Sequence, residues 1–269
     1  MGEKTSERRD AAMRSNYERQ ENLSARQSIF AFARTTPGEP RLADLLRLSP
    51  AQRVLDLGCG NGLWLDVVQK QSSPSLAVGV DLSMGMVQAA RARCPDAFVF
   101  RGDAIALPFQ DGTFDVALAL WMLYHVSDKQ RALFELRRVV RGSGLLLAAT
   151  NASEFDSVFD DLVRVAIETT TGAIVDRWLE PLDFDANSGQ ELLALYFDRV
   201  ERHLMQREFV VPDAAPLVAY IASLQAPVEA QVGPLPWPAF LESLEQTIEK
   251  RLRSGPVTYR TAQCLFVCS

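Results

Sequence analysis

The sequence predicts an α/β fold built on a doubly wound, mainly parallel sheet, with an N-terminal helical segment and a helical insertion before the last strand. Three observations carry that prediction. Five apolar runs alternate with helical patterns between residues 53 and 150, the order that gives a parallel sheet covered on both faces. The first run, Val54-Leu55-Asp56-Leu57, breaks into Gly58-Cys59-Gly60-Asn61-Gly62 and then restarts as the helical pattern Leu63-Trp64-Leu65-Asp66-Val67-Val68. The fourth run, Phe114 to Leu120, is almost wholly apolar, as a strand buried on both faces requires.

The elements follow in order. Residues 1 to 14 are polar and read as frayed. Tyr17 to Phe32 reads as an amphipathic helix with Leu23, Ile29 and Phe30 among its apolar positions, stopped by Thr35-Thr36-Pro37-Gly38-Glu39-Pro40. A short helix over Leu42 to Leu48 leads to strand one at Arg53 to Leu57 and a helix after Gly62, which Pro74 ends. Leu76 to Asp81 is strand two, and Ser83 is placed to cap a helix at Met84 to Arg93. Strand three is Ala97 to Phe100, strand four Phe114 to Leu120, then a helix Asp128 to Val140 and strand five Gly144 to Thr150. Beyond Thr150 the alternation weakens. Glu154 to Thr169 reads as a helix, residues 170 to 189 carry no clear period, and Ser188 is a candidate cap for a helix at Gly189 to Phe197. Val200 to Val211 has strand-like stretches, Pro212 to Leu224 and Ala239 to Arg253 read as helical, and Val257 to Cys268 as a final strand. The expected organisation is one domain over 1–269: a helical segment 1–48, a core 49–150, and a C-terminal part 151–269 whose insertion near 212–256 caps a ligand crevice.

Bulk properties narrow the function. Hydrophobic residues make up 48% and charged residues 23% of 269, ordinary for a folded globular chain. A net charge of -6 argues against a surface built to neutralise phosphates, and hence against nucleic acid as partner. Cys59, Cys94, Cys264 and Cys268 form neither a disulfide framework nor a zinc or iron–sulfur spacing, so Cys264 and Cys268 read as strand packing and a reducing cytoplasm fits. The charged N-terminus and the lack of a run of about 18 apolar residues predict neither a secretory leader nor a membrane span.

The chemistry-bearing positions sit at strand ends. Glycines at 58, 60 and 62 allow a ligand to lie on the backbone where strand one stops. In a dinucleotide fingerprint the third glycine would stand at Leu63, which disfavours NAD. Asp81, ending strand two, is placed to accept from both hydroxyls of a ribose. After strand three, Gly102-Asp103-Ala104 with Leu107-Pro108-Phe109 offers an acid and a backbone N–H to the edge of a base.

These motifs in this order, with Phe114-Asp115-Val116 opening strand four, resemble the class I S-adenosyl-L-methionine-dependent methyltransferases, which share a Rossmann-like fold. The resemblance covers residues 53 to 150. It implies that Asp56, Gly58, Gly60 and Gly62 hold the methionine part of the cofactor, Asp81 the ribose, and that Leu82 and Met86 pack on the adenine. Asp103 would bind the adenine amine and Ala104 its ring, while Leu120 would offer its backbone carbonyl near the methionine amino group. Leu120 stands where the family often has a polar residue, and Gly142-Ser143-Gly144 replaces the usual Pro-Gly-Gly turn.

Leu120-Trp121-Met122-Leu123-Tyr124-His125-Val126 should face the reacting methyl. His125 can serve as a general base, or Tyr124 and His125 can simply shape the wall. His203 reads as structural. Tyr17 and Arg26, on roughly one side of the first helix, are candidates to reach the cofactor as a lid, or belong to an ordinary packing helix. Arg137, Arg138 and Arg141 read as a solvated helix face, and Asn151 as a polar acceptor contact. Trp178, Trp237, Phe155 and Tyr220 would line an acceptor pocket or fill a core.

The resulting expectation is a cytoplasmic transferase that methylates O, N or C of a small molecule, without a metal, since no ligand-spaced cluster follows strand four. RNA or protein as acceptor, and cofactor binding without methyl transfer, are the alternatives.

Overall fold

The computed structural model describes residues 20–35, 44, 46, 48–155, 157–179 and 181–269. It divides into two compact units, one of Met1–Pro37, Glu154–Pro181 and Gln206–Ala262, the other of Gly38–Ser153, Leu182–Met205 and Gln263–Ser269. The strands follow the order β1-β7-β8-β6-β5-β2-β3-β4. The helix expected at Leu42 to Leu48 lies largely outside the described residues.

The second unit holds β2 (Arg53–Leu57), α2 (Leu63–Ser72), β3 (Leu76–Asp81), α3 (Met84–Arg93), β4 (Phe98–Arg101), β5 (Phe114–Leu120) and α4 (Lys129–Val139). The ranges of β2, β3 and β5 follow the apolar runs because these strands are sealed on both faces, with Val54, Val80, Val116 and Leu118 fully buried, whereas the edge strand β4 leaves Phe98 exposed. β2, β3 and β4 pair in parallel on one side, and β5 and β6 continue in parallel on the other. The strand order therefore reverses between β2 and β5, where Asp56 lies opposite Leu118. In such sheets the crevice outside the carboxyl ends at that point is the ligand site.

Caps explain the helix starts. Ser83 Oγ accepts from Met86 N at 3.3 Å, and an Asp128 carboxylate oxygen accepts from Arg131 N at 2.9 Å. α4 then buries Ala132, Leu133, Leu136 and Val139, one stripe at helical spacing.

Three expectations need correction. The fifth core strand, β6, spans Val140–Phe155 rather than starting at Gly144, and its register shifts between Phe114 and Val116, so Gly142-Ser143-Gly144 is absorbed as an irregularity within a strand. α6 is short, Ser188–Leu193, and Ser188 is not its cap. The N-cap is Asn187, whose side chain makes no capping bond, while Asp185 Oδ1 just ahead of it accepts from the N–H groups of Asn187 and Ser188, both at 2.8 Å. The solvated arginine face is broken at Arg138, which is engaged with the Asp103 loop.

The first unit contains α1 (Gln20–Ser28), a 3-10 turn Ile29–Phe32, β1 (Ala33–Thr35), α5 (Ser157–Thr171), α7 (Ala214–Ala222), α8 (Gln225–Val232) and α9 (Trp237–Leu252). The helical insertion thus lies between β7 (Val200–Val211) and β8 (Val257–Cys268), each of which has residues in both units. β1 pairs antiparallel with β7, Ala33 opposite Phe209. This unit has its own core. Tyr259 stacks on Phe209 at 4.9 Å and on Phe159 at 5.4 Å, with Phe240, Leu244 and Ile248 of α9 fully buried.

Candidate functional site

The loop after β2 is folded onto the end of β3. Val80 O accepts from Gly58 N at 2.7 Å and Cys59 N at 3.1 Å, and Asp81 Oδ2 accepts from Gly60 N at 2.8 Å. Gly58 has φ +69, and a Cβ there would lie 2.6 Å from Met122 Cβ, so no other residue fits. Gly62 has φ +77 and would bring a Cβ to 3.0 Å from Ala90 Cα; this glycine lets α2 approach α3. Of the three glycines, Gly62 is therefore the one whose requirement is helix packing.

Two carboxylates flank this loop. Asp56 is 2% exposed; Leu65 N–H donates to its carboxylate, yet Oδ2 has no hydrogen-bond partner among the described residues. Burial, with the neighbouring Asp81 charge second, raises its pKa to about 8. Asp81 is also raised, by desolvation, against the lowering effect of N–H donors that include Ser83 and Gly60. Each Asp81 oxygen takes one of those bonds, Gly60 N on Oδ2 and Ser83 N at 2.9 Å on Oδ1, and keeps a further lone pair. The two carboxylates thus make a buried acidic site, with one acceptor unpartnered among the described residues and suited to a cationic donor.

After β4, Asp103 is exposed and Ala104 is buried, with Asp103 Oδ1 accepting from Ile105 N at 3.2 Å. The segment that follows is pinned from α4. Buried Glu135 accepts from Leu107 N at 2.9 Å, and Arg138 donates to Leu107 O at 3.0 Å, Phe109 O at 2.6 Å and both Glu135 oxygens. The neighbouring Arg138 guanidinium holds the Glu135 carboxyl below the usual carboxylate range. Arg141 is paired with Asp115 at 2.6 Å.

At the carboxyl end of β5, Leu120 is buried and the chain turns through a 3-10 segment, Leu123–His125. Tyr124 and His125 are half-buried with their rings edge-to-face at 4.3 Å. Lys129 closes the turn, donating to Val126 O at 2.8 Å and pairing with Asp183 at 2.7 Å. Trp121, within the segment expected to face the reacting methyl, has φ +54 and donates its indole N–H to Asn151 Oδ1 at 3.2 Å.

Other expected residues fall elsewhere. Leu82 is exposed, at 41%, but Met86 is sealed in the interior at 1%, so Met86 packs beneath the first turn of α3 and the neighbouring exposed apolar side chain is Met84. Tyr17 lies outside the described residues; Arg26 is half-buried on α1 of the first unit. Trp178, with its N–H on Asp160, and Tyr220, 6.0 Å from Phe159, belong to that unit's aromatic core, and Trp237 packs on Phe240 at 5.0 Å. The Phe155 side chain is outside the described residues. His203, on β7, faces Glu201 at 3.7 Å. All four cysteines are buried free thiols, and burial pushes Cys264 and Cys268 up to about 12. Among the described residues, no three His, Cys, Asp or Glu side chains are grouped to hold a metal ion, and no helix is long and apolar enough to cross a membrane.

Residues 55–148 match the methyltransferase domain family. This stretch is a class I, S-adenosylmethionine-dependent methyltransferase domain. The chain is 32% identical over 190 residues to a 37.1 kDa protein of transposon TN4556 from Streptomyces fradiae, described as uncharacterized, covering 69% of this chain and 51% of that one. It is also 32% identical over 126 residues to the demethylmenaquinone methyltransferase of Renibacterium salmoninarum, covering 45% of this chain and 50% of the relative. The chain therefore spans about half the length of these curated relatives. The crystal structure of the [4+2]-cyclase SpnF, 21% identical, superposes with a TM-score of 0.53 over 85% of this chain and 80% of that one, which shows a shared fold.

S-adenosylmethionine is the methyl donor of this methyltransferase family. The residues present suit it. The orphaned Asp56 oxygen calls for a positively charged donor, Asp81 has lone pairs to spare for vicinal hydroxyls, and the Gly58 backbone leaves no room for a side chain.

Proposed function

We propose that the chain transfers the methyl group of S-adenosylmethionine to an oxygen, nitrogen or carbon of a small organic molecule, by in-line displacement and without a metal. The observation that carries this reading is the buried Asp56 Oδ2, without a hydrogen-bond partner among the described residues, beside the Gly58–Gly60 loop and Asp81. When bound, the cofactor supplies an already activated sulfonium methyl, so orientation can provide much of the catalysis. Asp56 accepts from the ammonium of the methionine part, which lies on the backbone of Gly58 and Gly60. Asp81 orients the ribose, Asp103 and the Ala104 N–H read the adenine edge, and exposed Leu82 covers its face. The Leu120 carbonyl faces the methionine amino group. Tyr124 and His125 border the acceptor, and His125 removes its proton when the acceptor is a hydroxyl or amine.

A small acceptor is supported by the net charge of -6 and by relatives described as demethylmenaquinone methyltransferases. The test has two parts. Asp81→Ala is expected to weaken S-adenosylmethionine binding at least tenfold with the fold intact, by calorimetry and circular dichroism; unchanged affinity sinks the ribose assignment. Methyl-labelled cofactor incubated with cell extract should label the small-molecule fraction. Label in RNA or protein would overturn the acceptor class, and tight binding without S-adenosylhomocysteine formation would overturn methyl transfer itself.

A further inference from the structure

Side chains along β5 alternate between two cores: Val116, Leu118 and Leu120 pack with Val54, while Ala117 and Ala119 pack with Leu55 and Leu57. Continued alternation would send residue 121 to the second core. Instead Trp121 adopts φ +54, and its indole packs with the Leu120 core, so two successive side chains lie on one face. A left-handed backbone is unfavourable for so large a residue and persists only where the surroundings over-determine it.

Three contacts do so. Trp121 N still continues the ladder, donating to Ala149 O at 2.8 Å. Its Nε1 donates to Asn151 Oδ1 at 3.2 Å, two residues further along β6. Its ring stacks on Trp64 at 5.9 Å and 25°. Trp64 is the second residue of α2, directly past the glycine loop, and the residue after Trp121 is the Met122 that abuts Gly58. Strain is therefore maintained at the carboxyl end of the β2–β5 reversal, and both indoles remain half-buried. Core filling does not require it, since Leu118 and Leu120 fill the same core in plain strand conformation.

Resting on the methyl-transfer reading above, we propose that Trp121, held flat by Trp64 and Asn151, is a specificity-determining residue: its indole is the wall against which a planar aromatic ring of the methyl acceptor stacks. Offset stacking rewards flat, conjugated rings over saturated ones of equal size. Asn151 is the positioning residue that fixes the ring plane.

The experiment uses the full chain loaded with S-adenosylhomocysteine and titrates 2-naphthol, with decahydro-2-naphthol as the saturated control, by calorimetry and tryptophan fluorescence. The expected result is 2-naphthol binding that quenches fluorescence, weakens at least tenfold in Trp121→Leu and about threefold in Asn151→Ala, and is nearly kept in Trp121→Phe. Decahydro-2-naphthol should bind wild type no better than it binds Trp121→Leu. Trp121→Gly, which accepts the left-handed backbone, supplies a second loss variant should Trp121→Leu fail to fold. S-adenosylhomocysteine affinity should stay within twofold throughout. Equal naphthol binding by wild type and the loss variants, or none by wild type, overturns the wall while leaving the cofactor site standing. A loss of S-adenosylhomocysteine affinity in the Trp121 variants reassigns the indole to the cofactor and also overturns it. Failure of wild type to bind S-adenosylhomocysteine removes the underlying reading instead.

Discussion

Replacing Arg138 with methionine keeps most of the aliphatic stem but deletes a guanidinium that donates to Leu107 O, Phe109 O, Asp111 and both Glu135 oxygens. The Asp111 contact contributes little, because that side chain is 81% exposed. The Glu135 contact matters more, because that side chain is only 4% exposed and would keep a buried charge with the Leu107 N–H and a 3.4 Å contact to Arg131. Removing one partner of a buried pair costs about 3–5 kcal/mol, and Arg138 at 22% exposed places this case at the lower end, about 3 kcal/mol. For a chain of this size that corresponds to a fall in Tm of about 6–12 °C. Urea unfolding should show a lower midpoint at an unchanged slope.

The pH dependence gives an independent check. The Glu135 pKa is lowered in the folded protein from an ordinary 4.5, chiefly by its bonds from Arg138. A depressed carboxylate stabilises the fold above its unfolded pKa and ceases to do so as pH falls through the folded one. The gap between wild type and Arg138→Met should therefore be full at neutral pH and shrink below about 4.5. Because the braced segment follows Asp103, S-adenosylmethionine affinity should drop with stability. A loss below about 1 kcal/mol, or a gap that widens in acid, would refute the brace.

Three further expectations concern the pocket. A cation beside Asp56 should lower its pKa from about 8, so cofactor binding releases a proton and affinity rises with pH up to about 8; calorimetry in buffers of different ionisation enthalpy reads this, and Asp56→Asn should abolish the difference. Gly58→Ala, which combines φ +69 with a contact 2.6 Å from Met122 Cβ, should destabilise by about 2–4 kcal/mol in urea and abolish cofactor binding. Dialysis against a chelator should leave turnover unchanged, and recovery only on adding magnesium would contradict the metal-free mechanism.

Much of the second unit was legible because its central strands β2, β3 and β5 are buried on both faces and its turns use glycine, serine and aspartate at positions with a mechanism. Arg53–Leu57, Leu76–Asp81, Met84–Arg93 and Phe114–Leu120 match the apolar runs residue for residue, and Ser83 caps where expected. β6 was misjudged at its start because Gly142 and Gly144 look like a turn, whereas the ladder to β5 absorbs them. The resemblance places Met86 on the adenine, whereas the first turn of α3 points it into the interior at 1% exposed, a direction that the sequence pattern does not encode. Arg138 was read as solvated because its acceptors are backbone carbonyls of a loop about 30 residues upstream, and only the fold brings them together.

Trp121 marks where sequence reasoning must stop. Its neighbours obey the period of two, and a tryptophan after an apolar strand is unremarkable by composition. What sets it apart is a φ value of +54, and that is decided by tertiary contacts at Ala149, Asn151 and Trp64 that no local pattern encodes. Local preference and final structure disagree here, beside the glycine loop proposed to hold the cofactor. A glycine or asparagine would hold the same backbone at lower cost. An indole held at that cost, stacked on Trp64 and bonded to Asn151, is what the proposed aromatic wall accounts for.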